Sequence, residues 1–181
     1  MAQTPSAMVS LQTRMPEFSL TDANGTPCEL SDDSKGTLII FMCNHCPFVI
    51  HVASLLEEIH TLCEASGIQM IGINSNDIEA YPDDSPENMI ETAQRFKWTF
   101  PYLFDGTQEV ARAFQATCTP DVFLYDSESG LYYRGQLDDS RPSSGTADGE
   151  DLKNAIQAML ANSPPPDDQK PAVGCNIKWK V

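Results

Sequence analysis

The chain has 181 residues, 41% of them apolar, enough for one well-filled core with additions to it. With 11 basic and 26 acidic residues its formal net charge is -15, a field that repels phosphate backbones and anionic lipid, so neither nucleic acid nor a membrane surface is expected as a partner. Residues 1–11 lack the basic and apolar runs of a secretory signal, and no stretch approaches the roughly 20 apolar residues of a membrane span, so the expectation is a cytoplasmic protein whose cysteines rest as thiols.

The chain opens with an N-terminal segment, residues 1–14, read as flexible and outside the domain. From residue 15 the pattern suggests a small β-hairpin, with arms at 17–20 and 28–30 around Asn24-Gly25. Residues 37–42 are a continuous apolar, partly β-branched run, the signature of a strand buried on both faces. Val52, Leu55, Leu56, Ile59 and Cys63 then recur at helical spacing, predicting a helix over 46–65 that Gly67 stops. A second buried strand follows at 68–73. Ser85-Pro86-Glu87 supplies an N-cap, a first-turn proline and an acid for a helix burying Met89, Ile90, Ala93 and Phe96. A third strand is expected at 100–104, a short helix at 107–115, a hairpin of 122–125 with 131–134, and a last helix capped by Asp148. Such alternation argues for an α/β fold, a central mixed β-sheet flanked by helices. The main domain is taken as 15–162. Residues 163–181 form a Pro-rich linker and a docked tail in which Ile177, Trp179 and Val181 alternate as in a strand.

Short acidic groups such as Asp83-Asp84 and Asp138-Asp139 read as solvated surface, and no calcium-loop spacing is present. Chemistry is concentrated in Cys43-Asn44-His45-Cys46, a C-x-x-C between a buried strand and a helix. At a helix N-terminus unpaired N–H groups favour thiolate over thiol, which marks Cys43 as the nucleophile, with Cys46 as the resolving thiol. A protonated His45 would stabilise the thiolate further. The same pair could be half of a zinc site, with Cys118, Cys175, His45 or His51 completing it, or two inert buried thiols. Thr119-Pro120 opens a strand, where a proline is either ordinary trans or a cis proline in a tight turn. Cys118 precedes it, and Cys175 lies on the tail after the linker, placed to act as a third thiol that relays or resolves a disulfide. Cys63 reads as core, and His51 and His60 receive no role.

Over residues 16–160 the chain resembles thioredoxin-like proteins of the alkyl hydroperoxide reductase/thiol-specific antioxidant group. Cys43-Asn-His-Cys-Pro-Phe48 and Gly174-Cys-Asn-Ile-Lys-Trp179 look like its peroxiredoxin-like branch. The resemblance implies a thioredoxin-like fold with an N-terminal β-hairpin and an extra β-α insertion, here residues 68–96. It also implies that Thr119-Pro120 is a cis-proline loop lying against the C-x-x-C. With Cys46 set at the peroxidatic position, Cys43 replaces the family's threonine, Ile39 its proline, and Pro120 stands where its arginine is expected. The peroxide-activating set is therefore incomplete, and Arg141 is the one candidate for a substitute charge.

The reading is a thiol-disulfide oxidoreductase built on Cys43 and Cys46, with His45, Thr119 and Pro120 at the site and no cofactor or metal. Its partner would be a protein or small-molecule thiol or disulfide. The alternatives are a thiol peroxidase acting on peroxide and a metal-binding or redox-sensing module using the same cysteines.

Overall fold

The protein is described by a computed structural model over residues 3–181. Its centre is β3 (Gly36–Phe41), every residue of which is buried. Alternation along it serves two cores: Leu38 and Ile40 pack with the long helix, Ile39 and Phe41 with the opposite layer. Fully burying one such aliphatic side chain stabilises by about 1.5–3 kcal/mol.

Before β3 lie β1 (Gln3–Pro5) and β2 (Thr21–Asp22). After it come α1 (Pro47–Ser66), β4 (Ile68–Asn74), a 3-10 turn at Pro82–Asp84, α2 (Pro86–Phe96), β5 (Tyr102–Phe104) and α3 (Glu109–Phe114). The chain then runs through β6 (Cys118–Thr119), β7 (Asp121–Asp126), β8 (Leu131–Gly135), α4 (Glu150–Leu160) and β9 (Val173–Asn176). The main sheet has the order β2-β5-β4-β3-β7-β8. β3 is parallel to β4 and antiparallel to β7, which makes the sheet mixed. Residues from α1, α2 and α4 fill one core and residues from α3 the other.

Local signals are obeyed closely in the first half. Proline stands in the first turn of α1, and Gly67 ends the helix at φ 77 with its N–H turned to the Cys63 and Glu64 carbonyls. Ser85 Oγ accepts from the Asn88 N–H at 3.4 Å to start α2. Of the four apolar residues expected inside from α2, only Met89 is buried, because this short helix covers the rim of the sheet. The last helix is capped one residue late, by Gly149 at φ 68, while Asp148 Oδ1 still accepts the Glu150 N–H at 3.0 Å. The early hairpin shrinks to a turn closed by Asp22 N–H to Thr26 O (2.9 Å) and Cys28 N–H to Leu20 O (3.1 Å), because β2 pairs instead with β5.

A second sheet joins the two ends of the chain, in the order β1-β9-β6. The tail strand therefore sits earlier than the Ile177-Trp179-Val181 alternation suggested, at Val173–Asn176, with Ile177 buried and Val181 exposed. It is held along its whole approach. Gln136 donates its N–H to Lys170 O at 3.0 Å, Ser6 and Ala172 exchange N–H···O and N–H···Oγ bonds, and Ile177 donates to Thr117 O at 3.2 Å. Two glycines permit this: a Cβ on Gly135 would lie 2.3 Å from Lys170 O, and one on Gly174 only 2.0 Å from Thr119 O.

Candidate active site

β3 ends one residue before Met42, so Cys43 leaves the sheet at its core. Cys46 directly precedes α1 with extended backbone angles of φ -69 and ψ 122. Both are buried, at 1% and 0% exposure. Opposite them is the Thr119-Pro120 peptide, which is cis, as the family resemblance implied. Cys43 Sγ is 3.5 Å from Thr119 Oγ1, and the Cys46 thiol reaches Thr119 O at 3.2 Å.

The electrostatics pull the two sulfurs in opposite directions and favour negative charge on Cys46, where the helix-position argument favoured Cys43. Cys46 is pulled down to about 5, first by the Cys43 thiol beside it, then against the cost of burial by the Cys175 thiol, the Thr119 hydroxyl and the Val49 N–H. The Val49 N–H is not a capping hydrogen bond in the strict sense, yet its direction favours the anion. Cys43 is pushed well above 9.0 by that same Cys46 contact, by burial and by the Asp84 carboxylate. The contact between the two sulfurs thus pulls downward on Cys46 and upward on Cys43.

A polar cluster on the other side of Cys43 fixes the motif. Asp84, fully buried, accepts from Asn44 N–H at 2.8 Å and Asn76 Nδ2 at 2.7 Å, and its Oδ2 lies 2.7 Å from His45 Nδ1. This contact, with burial opposing it, raises His45 above 6.5. Asp84, whose burial works upward, is nevertheless held below 3.8 by His45 and Asn76. His45 stacks on Tyr81 at 6.0 Å, and the Lys178 ammonium lies 5.6 Å from the Tyr81 ring. Tyr102 OH donates to Asn44 Oδ1 at 2.9 Å.

Of the residues expected at the site, Cys43, Cys46, His45, Thr119 and Pro120 come together. Cys175 joins them, placed directly across from Thr119 in the β6–β9 pair. Cys118 lies next to the site but turns away, its thiol directed to Pro120 O at 3.5 Å, and burial pushes it up with Asp121 adding to the effect. Arg141 is engaged by Gln136 Oε1 and by the carbonyls of Asp138 and Ser140, so its guanidinium is committed away from the sulfurs. His51 bonds Ser140 Oγ at 2.8 Å. Asp84, Tyr81, Asn76 and Lys178 were not singled out in the sequence. The available signal was the position of Asp83-Asp84 just before the Ser85 cap, since a helix start set beside a cysteine motif places its flanking acid there. As to metal, ligand atoms of Cys43, His45 and Asp84 lie within 4.8 Å of one another among the described residues. The Asp84 oxygens in that group already accept from Asn44 and Asn76.

A dithiol at the junction of a central strand and a helix, faced by a cis-proline loop, defines a protein of the thioredoxin fold. Consistent with this, the thioredoxin domain of a thiol-disulfide oxidoreductase from Bacteroides vulgatus superposes with a TM-score of 0.64 over 84% of this chain and 99% of that one, at 16% identity. The chain belongs to the AhpC/TSA family, whose model matches residues 11–134. An uncharacterized conserved protein from Geobacillus kaustophilus is 46% identical with a TM-score of 0.94, covering 99% of this chain and 97% of that one. The thiol-disulfide oxidoreductase ResA of Geobacillus thermodenitrificans is 22% identical over 157 residues, 86% of this chain and 82% of that protein.

Proposed function

We propose that this protein is a thiol-disulfide oxidoreductase in which Cys46 is the attacking thiolate and Cys43 the thiol that resolves the mixed disulfide. The observation that carries the reading is the position of the pair: Cys46 directly precedes α1, and both sulfurs meet the cis Thr119-Pro120 peptide, with the electrostatics drawing Cys46 down. Similarity to a protein named as a thiol-disulfide oxidoreductase supports the same reaction class.

In the reductive direction Cys46 Sγ attacks one sulfur of a partner disulfide, and the other partner sulfur leaves as thiolate. Cys43 then attacks Cys46 Sγ, forming the Cys43–Cys46 disulfide and expelling the second partner sulfur; the one proton Cys43 gives up goes to one of the two departing sulfurs, and the other leaves as thiolate. His45, raised first by its contact with Asp84, would favour the Cys46 anion when protonated, and Asp84 holds the ring in place. The partner is a protein or small-molecule thiol or disulfide.

The test is the redox titration of the pair, by acid quenching and mass-spectrometric thiol trapping across glutathione buffers. A reversible two-electron couple mapped to a Cys43–Cys46 bridge is expected in wild type, and that bridge is absent in Cys43→Ser and in Cys46→Ser. If no Cys43–Cys46 disulfide forms at any poise, the reading falls. A second reading, a thiol peroxidase, is favoured by the same acidic Cys46; it requires peroxide to convert Cys46 to a sulfenic acid faster than it oxidises the other cysteines. Metal retained through dialysis, and lost in Asp84→Asn and His45→Ala, would instead support the metal-binding alternative.

A further inference from the structure

Cys175 is carried into the site by backbone pairing. β9 lies antiparallel on β6 with Cys175 directly opposite Thr119 and Asn176 opposite Cys118. Residues that face each other across an antiparallel pair project to the same side, with Cβ atoms about 4.5–5.5 Å apart. Thr119 is the residue whose hydroxyl meets Cys43 and whose carbonyl meets Cys46. The strand register therefore aims Cys175 at the two sulfurs, and Cys118, one residue before Thr119, at the opposite side. The close approach depends on Gly174, since any Cβ there would run into Thr119 O. In the folded protein Cys175 is 3% exposed, packs in one core with Cys43 and Cys46, and hydrogen-bonds Cys46.

Cys46 thus has a thiol on either side. Resting on the exchange reading above, we propose that Cys175 is a third catalytic thiol, and that oxidation moves from a Cys43–Cys46 disulfide to a Cys46–Cys175 disulfide within the same chain. The Cys175 sulfur attacks Cys46 Sγ; the Cys46–Cys175 bond forms as the Cys43–Cys46 bond breaks. Cys43 departs with the electron pair and takes the proton that Cys175 gives up. One disulfide and one thiol are present before and after, so the oxidation level of the three sulfurs is unchanged and no further oxidant is used.

The site suits such a step. In the reduced protein, burial and the neighbouring Cys46 anion keep Cys175 protonated, up to about 12, while Lys178 works in the other direction. Once Cys46 is in a disulfide its charge is gone, and Lys178 and the N-terminal end of α1 remain. β1 on one side and β6 on the other hold β9 in place, so the third thiol is positioned before reaction rather than recruited from a mobile tail. The last disulfide is then walled by β9 and β6, with Cys43 again a thiol facing the His45 side of the site.

The full chain would be equilibrated with glutathione buffers from fully reducing to fully oxidising, acid-quenched, alkylated and digested, and its bridges mapped by mass spectrometry. In Cys43→Ser, a Cys46–Cys175 bridge is expected in most molecules. In wild type it should be found beside Cys43–Cys46, and its share should not change in Cys118→Ser. A Cys43→Ser protein carrying only a Cys46–glutathione disulfide with Cys175 alkylated, together with a wild type holding Cys43–Cys46 alone at every poise, overturns the proposal. Cys175→Ser separates the two readings: if it still forms Cys43–Cys46 while no bridge to Cys175 is ever seen, only the third thiol is lost. If Cys43–Cys46 is missing there and in wild type, the exchange reading itself fails. Circular dichroism of each variant confirms that it is folded, and the wild-type map stands on its own should a variant not fold.

Discussion

Asp84 Oδ2 lies 2.7 Å from His45 Nδ1, and the same carboxylate holds the Asn44 amide at 2.8 Å, so one buried acid fixes both central residues of the C-x-x-C. In a buried setting an anion with several donors is stable only while each donor stays. Asp84→Asn should therefore lower the His45 pKa and make Cys43 more acidic, since the Asp84 charge acts upward on both. Exchanging an acceptor for an amide that faces Asn76 Nδ2 should cost about 1–3 kcal/mol. Imidazole titration by NMR and a denaturant melt report the two effects. An unchanged His45 titration would remove Asp84 from the electrostatics of the site.

The His45–Asp84 pair also sets a pH window for stability. His45 is raised above 6.5, so its contribution is whole below 6.5 and is lost as pH rises through the folded value. Asp84 is held below 3.8, so its contribution is whole above 3.8 and is lost as pH falls through its folded value. Between these limits the pair stabilises fully. His45→Gln should flatten the alkaline side of the profile in thermal melts; equal slopes in variant and wild type would contradict it.

Thiolate absorbance near 240 nm should titrate with a midpoint of about 5, assigned to Cys46 by its loss in Cys46→Ser. Because the Cys43 thiol is the largest influence on that acidity, Cys43→Ala should move the midpoint up by more than Cys175→Ala does. The reverse order would shift the weight of stabilisation onto the tail.

Asp121 is wholly buried at the start of β7, with Oδ2 accepting from Thr117 N–H at 2.9 Å and Oδ1 without a hydrogen-bond partner among the described residues. Burial pushes it from 3.8 up to about 7. The folded chain thus keeps a proton that the unfolded chain has released, and stability declines as pH rises across that interval. At about 1.4 kcal/mol per unit the loss above pH 7 is on the order of 4 kcal/mol. Asp121→Asn keeps an acceptor for Thr117 and should be the more stable protein at pH 8, with little difference at pH 4. A variant that loses stability equally at both values would show that the carboxyl serves packing alone.

Gly174→Ala places a methyl group 2.0 Å from Thr119 O, so β9 must shift away from β6. A loss of about 1–3 kcal/mol is expected. Faster amide exchange at Val173–Asn176 should accompany it, together with a Cys175 thiol that alkylates more readily than in wild type. Protection equal to wild type would mean that the strand pairing tolerates the added group.

What the sequence determined by itself is local. The buried run before Cys43, the helical spacing after Cys46 and the stop at Gly67 depend on neighbours a few residues apart, and β3 and α1 form where those signals lie. The meeting of Thr119-Pro120 with the dithiol was legible through the family resemblance, because a shared fold carries that juxtaposition with it. Through-space relations decided the rest. The acidities of the two sulfurs depend first on each other, a local relation, but also on Asp84, Thr119 and Cys175, all distant in the chain, and on a burial that composition does not reveal. The acid pair Asp83-Asp84 looks like solvated surface in one dimension; Asp83 is exposed, but Asp84 becomes a buried anchor once the 3-10 turn lays it under the motif. The same holds for the ends of the chain. The tail signalled a docked, strand-like segment with Cys175 as a candidate third thiol, and its register on β6, which brings Cys175 to Cys46, follows from pairing along the whole three-stranded sheet and from Gly174 at its closest approach.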